Sequence, residues 1–195
     1  MSQQADLERF AALLRKWNAV QNLVSRETVD ELWPRHIGDS LQLMKFVRET
    51  DRRIIDLGSG GGFPAIPMAI ASRETERRFT LVEPIAKKAS FLRTVARDLQ
   101  LPVAVEAKRA EQIDSRETFD LVTSRALAAL PVLCSYAEAL MAHNGHALLL
   151  KGRNYRQELD AAAAKFHFDV VVHASESGAE GVILEITNLR VKSAA

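Results

Sequence analysis

The sequence predicts an α/β fold: a mostly parallel sheet covered by helices on both faces, with an antiparallel pair at one edge. Three observations predict it. From residue 53 onward, short apolar runs alternate with helical stretches, the pattern of parallel strands joined by crossover helices. A glycine-rich turn stands between the first such run and the first helix. The last two apolar runs are separated only by a short stretch around Gly178, so they pair antiparallel. About fifty residues of helical periodicity come first. The chain therefore divides into a helical extension, 1–50, expected to pack on the core, and a main domain, 51–195.

In the extension, Leu7, Phe10, Leu13, Leu14 and Trp17 recur at helix spacing. A second helix starts near Pro34, a residue favoured at the first helical position, with Ile37, Leu41, Met44, Phe46 and Val47 as its apolar stripe. The main domain opens with strand RIIDL (53–57), followed by helix IPMAIAS (66–72). Strand FTLVE (79–83) and the amphipathic helix 86–101 follow, then strand VAVEA (103–107). FDLVTS (119–124) is a fourth strand, before a helix over 131–142. HALLLKG (146–152) is a fifth strand and 155–167 a further helix; strands 169–175 and 181–189 close the sheet.

The chain has 195 residues, close to the ~150 of one average domain, and can bury a full core without disulfides or metal. Lys plus Arg number 26 and Asp plus Glu 25, a net charge of +1, which excludes a strongly basic, histone-like binder of nucleic acid. A local basic face is still compatible: residues 87–156 hold eleven basic side chains against seven acidic. The single cysteine, Cys134, excludes an internal disulfide and a multi-cysteine zinc site, and no metal is expected. The start, MSQQADLERF, lacks the basic end and apolar run of a signal peptide, and no stretch approaches the ~20 apolar residues of a membrane span. A soluble, cytoplasmic, monomeric protein is expected.

The most informative stretch is Asp56-Leu57-Gly58-Ser59-Gly60-Gly61-Gly62-Phe63-Pro64. A glycine turn between strand and helix lets the backbone approach a nucleotide-like ligand. Two frames compete. Gly60-x-Gly62-x-x-Ala65 satisfies the dinucleotide pattern. Asp56-x-Gly58-x-Gly60-x-Gly62 resembles the first motif of class I S-adenosylmethionine methyltransferases. The acid favours the second frame: Asp56 suits the cationic methionine end of that cofactor and would repel a pyrophosphate. Glu83, ending the second strand, stands where an acid grips ribose hydroxyls.

Other strand ends supply further candidates. Ala110 and Glu111 follow the third strand, where such enzymes contact adenine. Ser124-Arg125-Ala126 follows the fourth, where acceptor meets cofactor; no Asn/Asp-Pro-Pro-aromatic motif is present, which speaks against adenine-N6 chemistry. Arg125 carries five donors and can orient a base edge; its competing role is a structural ion pair. Lys151 ends the fifth strand and could meet phosphate or base. His36 lies on the second helix beside Arg35 and Asp39. Cys134, between Leu133 and the Ser135-Tyr136 pair, reads as a buried apolar residue rather than a nucleophile.

An ordered set of motifs covers nearly the whole chain: Trp17-Asn18 with Asn22-Leu23, Arg35-His36-Ile37-x-Asp39-Ser40-Leu41, the glycine loop, Lys87-Lys88 with Phe91-Leu92, Ser124-Arg125-Ala126, and Leu150-Lys151-Gly152. The set resembles the small-subunit ribosomal RNA guanine-N7 methyltransferase family, also called glucose-inhibited division protein B. Ala65 stands where that family usually has glycine, and Glu83 where it has Asp. The resemblance implies a Rossmann-like class I methyltransferase fold with S-adenosyl-L-methionine as cofactor. It also implies methyl transfer to N7 of one 16S rRNA guanine near the decoding site, on the rRNA or the assembling small subunit. It matches Gly58, Phe63, Ala110, Glu111 and Arg125 to cofactor-contacting positions, beside Asp56, Gly60, Gly62 and Glu83 from the residues themselves. Arg125 is the catalytic candidate, and His36 and Lys151 the substrate-binding ones. Three alternatives stay open: a methyltransferase for a small molecule or protein, an NAD-binding oxidoreductase, and a binding module without turnover.

Overall fold

The computed structural model describes residues 2–25, 31–114, 118–176, 178 and 180–192. Arg116 and Glu117 of the charge count above lie outside them. Helix α1 (Gln3–Asn18) is capped by Ser2, whose hydroxyl accepts from the backbone N–H of Ala5. A second helical run, α2, begins with a wide π-type turn (Trp33–Gly38), tightens to an α turn (Asp39–Leu41) and ends in a 3₁₀ turn (Gln42–Lys45).

The main domain then alternates β1 (Arg53–Leu57), α3 (Ala65–Ala71), β2 (Arg78–Val82), α4 (Ala86–Asp98), β3 (Val103–Glu106) and β4 (Phe119–Arg125). It continues with α5 (Leu130–Leu140), β5 (Met141–Lys151), α6 (Tyr155–Ala163), β6 (Phe166–Ala174) and β7 (Val182–Val191). The seven strands lie in the order β3-β2-β1-β4-β5-β7-β6. β1 to β5 are parallel; β7 runs antiparallel to both β5 and β6. This is the mixed α/β architecture expected, with its antiparallel edge pair.

Most boundaries shift by one to three residues from the sequence reading, and two shift further. Helix α6 stops at Ala163 instead of reaching His167, because Lys165 N–H closes a turn on Ala162 C=O and Phe166 drops into the core as the first residue of β6, paired with Val191. β5 starts at Met141 instead of His146, since Met141 pairs with Phe119 across a register irregularity.

Strand side chains alternate between faces. Ile54, Leu121, Leu148 and Ile183 enter one core with α1, α3 and α4; Ile55, Val122, Leu149 and Leu184 enter the other with α5 and α6. Helix α1 buries Leu7, Phe10, Ala11 and Leu14 in the first core. Phe10 meets Phe63 with ring centroids 5.3 Å apart, and Trp17 meets Phe91 at 5.6 Å. The Asp6 carboxylate, 1% exposed, is neutralised by Arg73 at 2.9 Å. Among the described residues, no helix is long and apolar enough to cross a membrane.

Candidate active site

The order in which strands are added reverses between β1 and β4, and in open α/β sheets ligands bind at the strand ends beside such a switch. There the chain leaves β1 through Gly58, whose φ of +72° is open to glycine at little cost. A Cβ at this position would stand 2.7 Å from Cδ1 of Leu127 in the loop after β4. The N–H groups of Gly58 and Ser59 donate to Val82 C=O at 2.9 and 3.0 Å. Glu83, 4% exposed, fastens the rest of the turn: Oε2 accepts from Gly60 N–H and Oε1 from Ile85 N–H, both at 2.8 Å. An ionised carboxylate offers about four acceptor sites, so these two donors leave capacity for ligand hydroxyls.

Asp56 lies beneath the turn, 1% exposed. Its Oδ1 accepts from the Thr123 hydroxyl at 2.8 Å, the residue facing it across the β1–β4 pairing. Its buried Oδ2 has no hydrogen-bond partner. Burial pushes the Asp56 carboxyl up to about 7, against the nearby hydroxyls of Ser59 and Thr123 and the charge of Arg125, which favour the ionised form. A desolvated carboxylate oxygen without a donor fits a cationic ammonium group.

Arg125 joins the cradle to helix α2. Nη2 stands 2.7 Å from Nδ1 of His36, Nη1 donates to Arg35 C=O at 3.3 Å, and Asp39 Oδ2 lies 3.6 Å from Nη1. The guanidinium also covers the Phe63 ring at 5.1 Å, and His36 stacks on the same ring at 5.0 Å. Since an arginine N–H only donates, His36 Nδ1 accepts and the ring proton sits on Nε2. Burial, followed by the charge of Arg125, lowers His36 to about 4, so the imidazole is neutral at physiological pH.

The structure thus brings together Asp56, Gly58, Gly60, Gly62, Phe63, Glu83, Arg125 and His36. Ala110 and Glu111 form a short turn beyond β3; Glu111 is exposed and accepts from the Tyr136 hydroxyl of α5, which holds its carboxyl below the usual range. Lys151 is turned inward, 8% exposed, with Nζ 2.6 Å from Glu158 Oε2 and donating to Ala128 C=O at 2.9 Å. Cys134 is fully buried, and burial pushes its thiol up to about 12. The described residues contain no cluster of three or more side chains able to hold a metal ion.

Two participants were not singled out from sequence. Thr123 is a polar position inside an apolar strand, a signal present in FDLVTS. Asp39 sits in a quoted motif, but its place beside Arg125 emerges only from the fold.

Comparison with known proteins identifies the fold and the family. Among solved structures, an SAH-bound Podospora anserina methyltransferase aligns with a TM-score of 0.63 at 16% identity, over 96% of this chain and 88% of that one. A T. thermophilus 16S rRNA N2 methyltransferase, in complex with AdoMet and guanosine, aligns with a TM-score of 0.57 at 18% identity, over 77% of this chain and 38% of that one. These likenesses show the class I methyltransferase fold. Among curated proteins, the ribosomal RNA small subunit methyltransferase G of Paracoccus denitrificans is 41% identical over 194 residues, 97% of this chain and 99% of its relative. That of Brucella ovis is 44% identical over 186 residues, 94% and 87% of the two chains. The family profile described as rRNA small subunit methyltransferase G matches residues 3–186. The chain belongs to the rRNA small subunit methyltransferase G family, whose members use S-adenosylmethionine.

Proposed function

We propose that this enzyme methylates N7 of one guanine in 16S rRNA near the decoding site, acting on the rRNA or the assembling small subunit. The observation that carries the reading is the Arg125–His36 pair at the junction of cradle and acceptor side. Guanine N7 presents an in-plane lone pair and loses no proton on methylation, so the site needs alignment rather than a general base. A guanidinium and an imidazole that is neutral, with Nδ1 already committed to Arg125, suit that requirement.

S-adenosylmethionine, when bound, supplies an electrophilic methyl group on a sulfonium. Asp56 Oδ2 takes the methionine ammonium, Gly58, Gly60 and Gly62 let the backbone close on the ligand, and Glu83 holds the ribose while fastening the turn. Ala110 and Glu111 border the adenine. Arg125 orients the acceptor, with Phe63 and His36 holding the guanidinium plane. Lys151 contributes through its ion pair with Glu158, which sets the wall of the acceptor side. The target guanine must leave its stack or lie in a single-stranded loop for N7 to reach the methyl group.

Two measurements test the reading. Calorimetry should give binding of S-adenosylhomocysteine and none of NAD. Mapping of 16S rRNA from a strain lacking the enzyme should reveal one guanine without its 7-methyl group. An unchanged methylation map refutes it.

A further inference from the structure

A cavity of about 300 Å³ opens beside the cradle at the carboxyl ends of β4 and β5; Asp39, Arg125, Ala126, Leu150, Lys151 and Val182 are in its wall. We propose that this cavity is the purine subsite and that Asp39 reads guanine by accepting its N1–H while Arg125 donates to O6. The inference rests on the guanine-N7 reading above.

Arg125 stands between a carboxylate and the aromatic ring that follows the glycine cradle. Asp39 Oδ2 lies 3.6 Å from Arg125 Nη1, and the Arg125 guanidinium lies 5.1 Å from the Phe63 ring centroid. Phe63 follows Gly62 of the cradle. Guanine presents N1–H, O6 and N7 in succession around its perimeter, across the Watson–Crick and Hoogsteen edges: a donor, then two acceptors. A carboxylate only accepts and a guanidinium only donates. Pairing N1–H with Asp39 and O6 with Arg125 turns N7 toward the cradle, where the methyl group is delivered. Adenine fails twice in this pose. Its amino group would face the guanidinium, donor against donor, and its N1 lone pair the carboxylate, acceptor against acceptor.

Asp39 is oriented for the task. Its Oδ1 accepts from Gln42 Nε2 at 2.6 Å and from the Ser175 hydroxyl at 3.2 Å, which fixes the carboxylate plane with Oδ2 toward Arg125. The side chain is 14% exposed, so its contacts form with little competing water.

The contact also strengthens during the reaction. The N7 lone pair forms the bond to the methyl carbon, the carbon–sulfur pair returns to sulfur, and the positive charge passes from sulfur to the purine. No proton leaves. The N1–H of the cationic ring is more acidic, so its hydrogen bond to a carboxylate gains in the transition state over the ground state.

The test uses the full chain and small subunits reconstituted from ligated 16S rRNA, carrying either guanosine or 1-methylguanosine at the mapped target. Wild type should methylate the guanosine particle and lose about 100-fold in kcat/KM on the 1-methylguanosine particle, the scale of one buried acceptor left unsatisfied. Asp39→Ala should lose a comparable factor on guanosine, with little further loss on 1-methylguanosine and unchanged affinity for S-adenosylhomocysteine. Should Asp39→Ala fail to fold, Asp39→Asn keeps the shape and serves in its place. Equal losses from the base change in wild type and variant overturn the subsite, as does tolerance of 1-methylguanosine by wild type. Absence of 7-methylguanosine on the guanosine particle with wild type overturns the proposed function itself.

Discussion

Nη2 of Arg125 stands 2.7 Å from Nδ1 of His36, and both side chains rest on the Phe63 ring. The pair closes the cradle on its acceptor side and bolts α2 to the end of β4. Burial lowers the Arg125 guanidinium from its usual value, with Asp39 and Asp56 opposing, yet an arginine keeps its charge throughout. A fixed cation therefore stands where the proposed cofactor cradle meets the proposed acceptor side.

Replacing Arg125 tests that boundary. Arg125→Ala should remain folded, losing about 1–2 kcal/mol of stability as His36 and Asp39 lose a donor. Its single-turnover rate at saturating S-adenosylmethionine should fall ~100-fold or more, because small misplacements of reacting atoms cost rate steeply. Arg125→Lys should recover little, since a point cation cannot meet His36, Asp39 and Arg35 C=O together. Wild-type turnover in Arg125→Ala would leave the residue a purely structural role.

Gly58→Val should abolish cofactor binding in a folded protein. The site has φ of +72°, where a β-branched residue costs roughly 1–3 kcal/mol, and the new Cβ would displace Leu127. Calorimetry with S-adenosylhomocysteine reads the loss, circular dichroism the fold. Unchanged affinity would contradict the assignment of the cradle.

Asp56 and His36 pull stability in opposite directions with pH. Asp56 titrates at about 7 when folded against 3.8 ordinarily, so the native state holds the extra proton between these values and loses stability as pH rises through them. His36 titrates at about 4 when folded against 6.5 ordinarily, so the unfolded state holds the extra proton and stability falls as pH drops from 6.5 to 4. From about 4 to 6.5 the two slopes offset. Asp56→Asn removes the first, and its Tm should fall more steeply than that of wild type on acidification across this window. Parallel profiles would show that the buried carboxyl does not titrate as described. Cofactor affinity should rise with pH through about 7 in wild type, as Asp56 ionises to receive the ammonium group.

Cys134 should resist alkylation at pH 8 in the native protein and react on unfolding, because it is fully buried with its thiol pushed up to about 12. Rapid labelling of the native protein would place it on an accessible surface.

Most of the strands were legible because buried parallel strands read as continuous apolar runs, and β1 carries the bounds expected from RIIDL. The start of β6 was not. The alanines before it favour helix, and Phe166, His167 and Phe168 fit either period until their pairing with β7 decides. The glycine cradle was legible because evenly spaced glycines mark backbone that must turn sharply or approach a ligand. Glu83 was legible as an acid at a strand end, but its grip on Gly60 and Ile85 was not, being a tertiary contact. Lys151 shows the opposite outcome. Its position at a strand end suggested an outward cation, and Glu158 on the following helix draws it inward.

The central claim is tested most directly by incubating the purified enzyme with isotope-labelled S-adenosylmethionine and small subunits from a strain lacking it, then digesting the rRNA for mass spectrometry. The account predicts one labelled 7-methylguanosine per 16S rRNA, appearing more slowly by ~100-fold or more with Arg125→Ala. Label on N1, N2 or a ribose, on protein, or nowhere would contradict it.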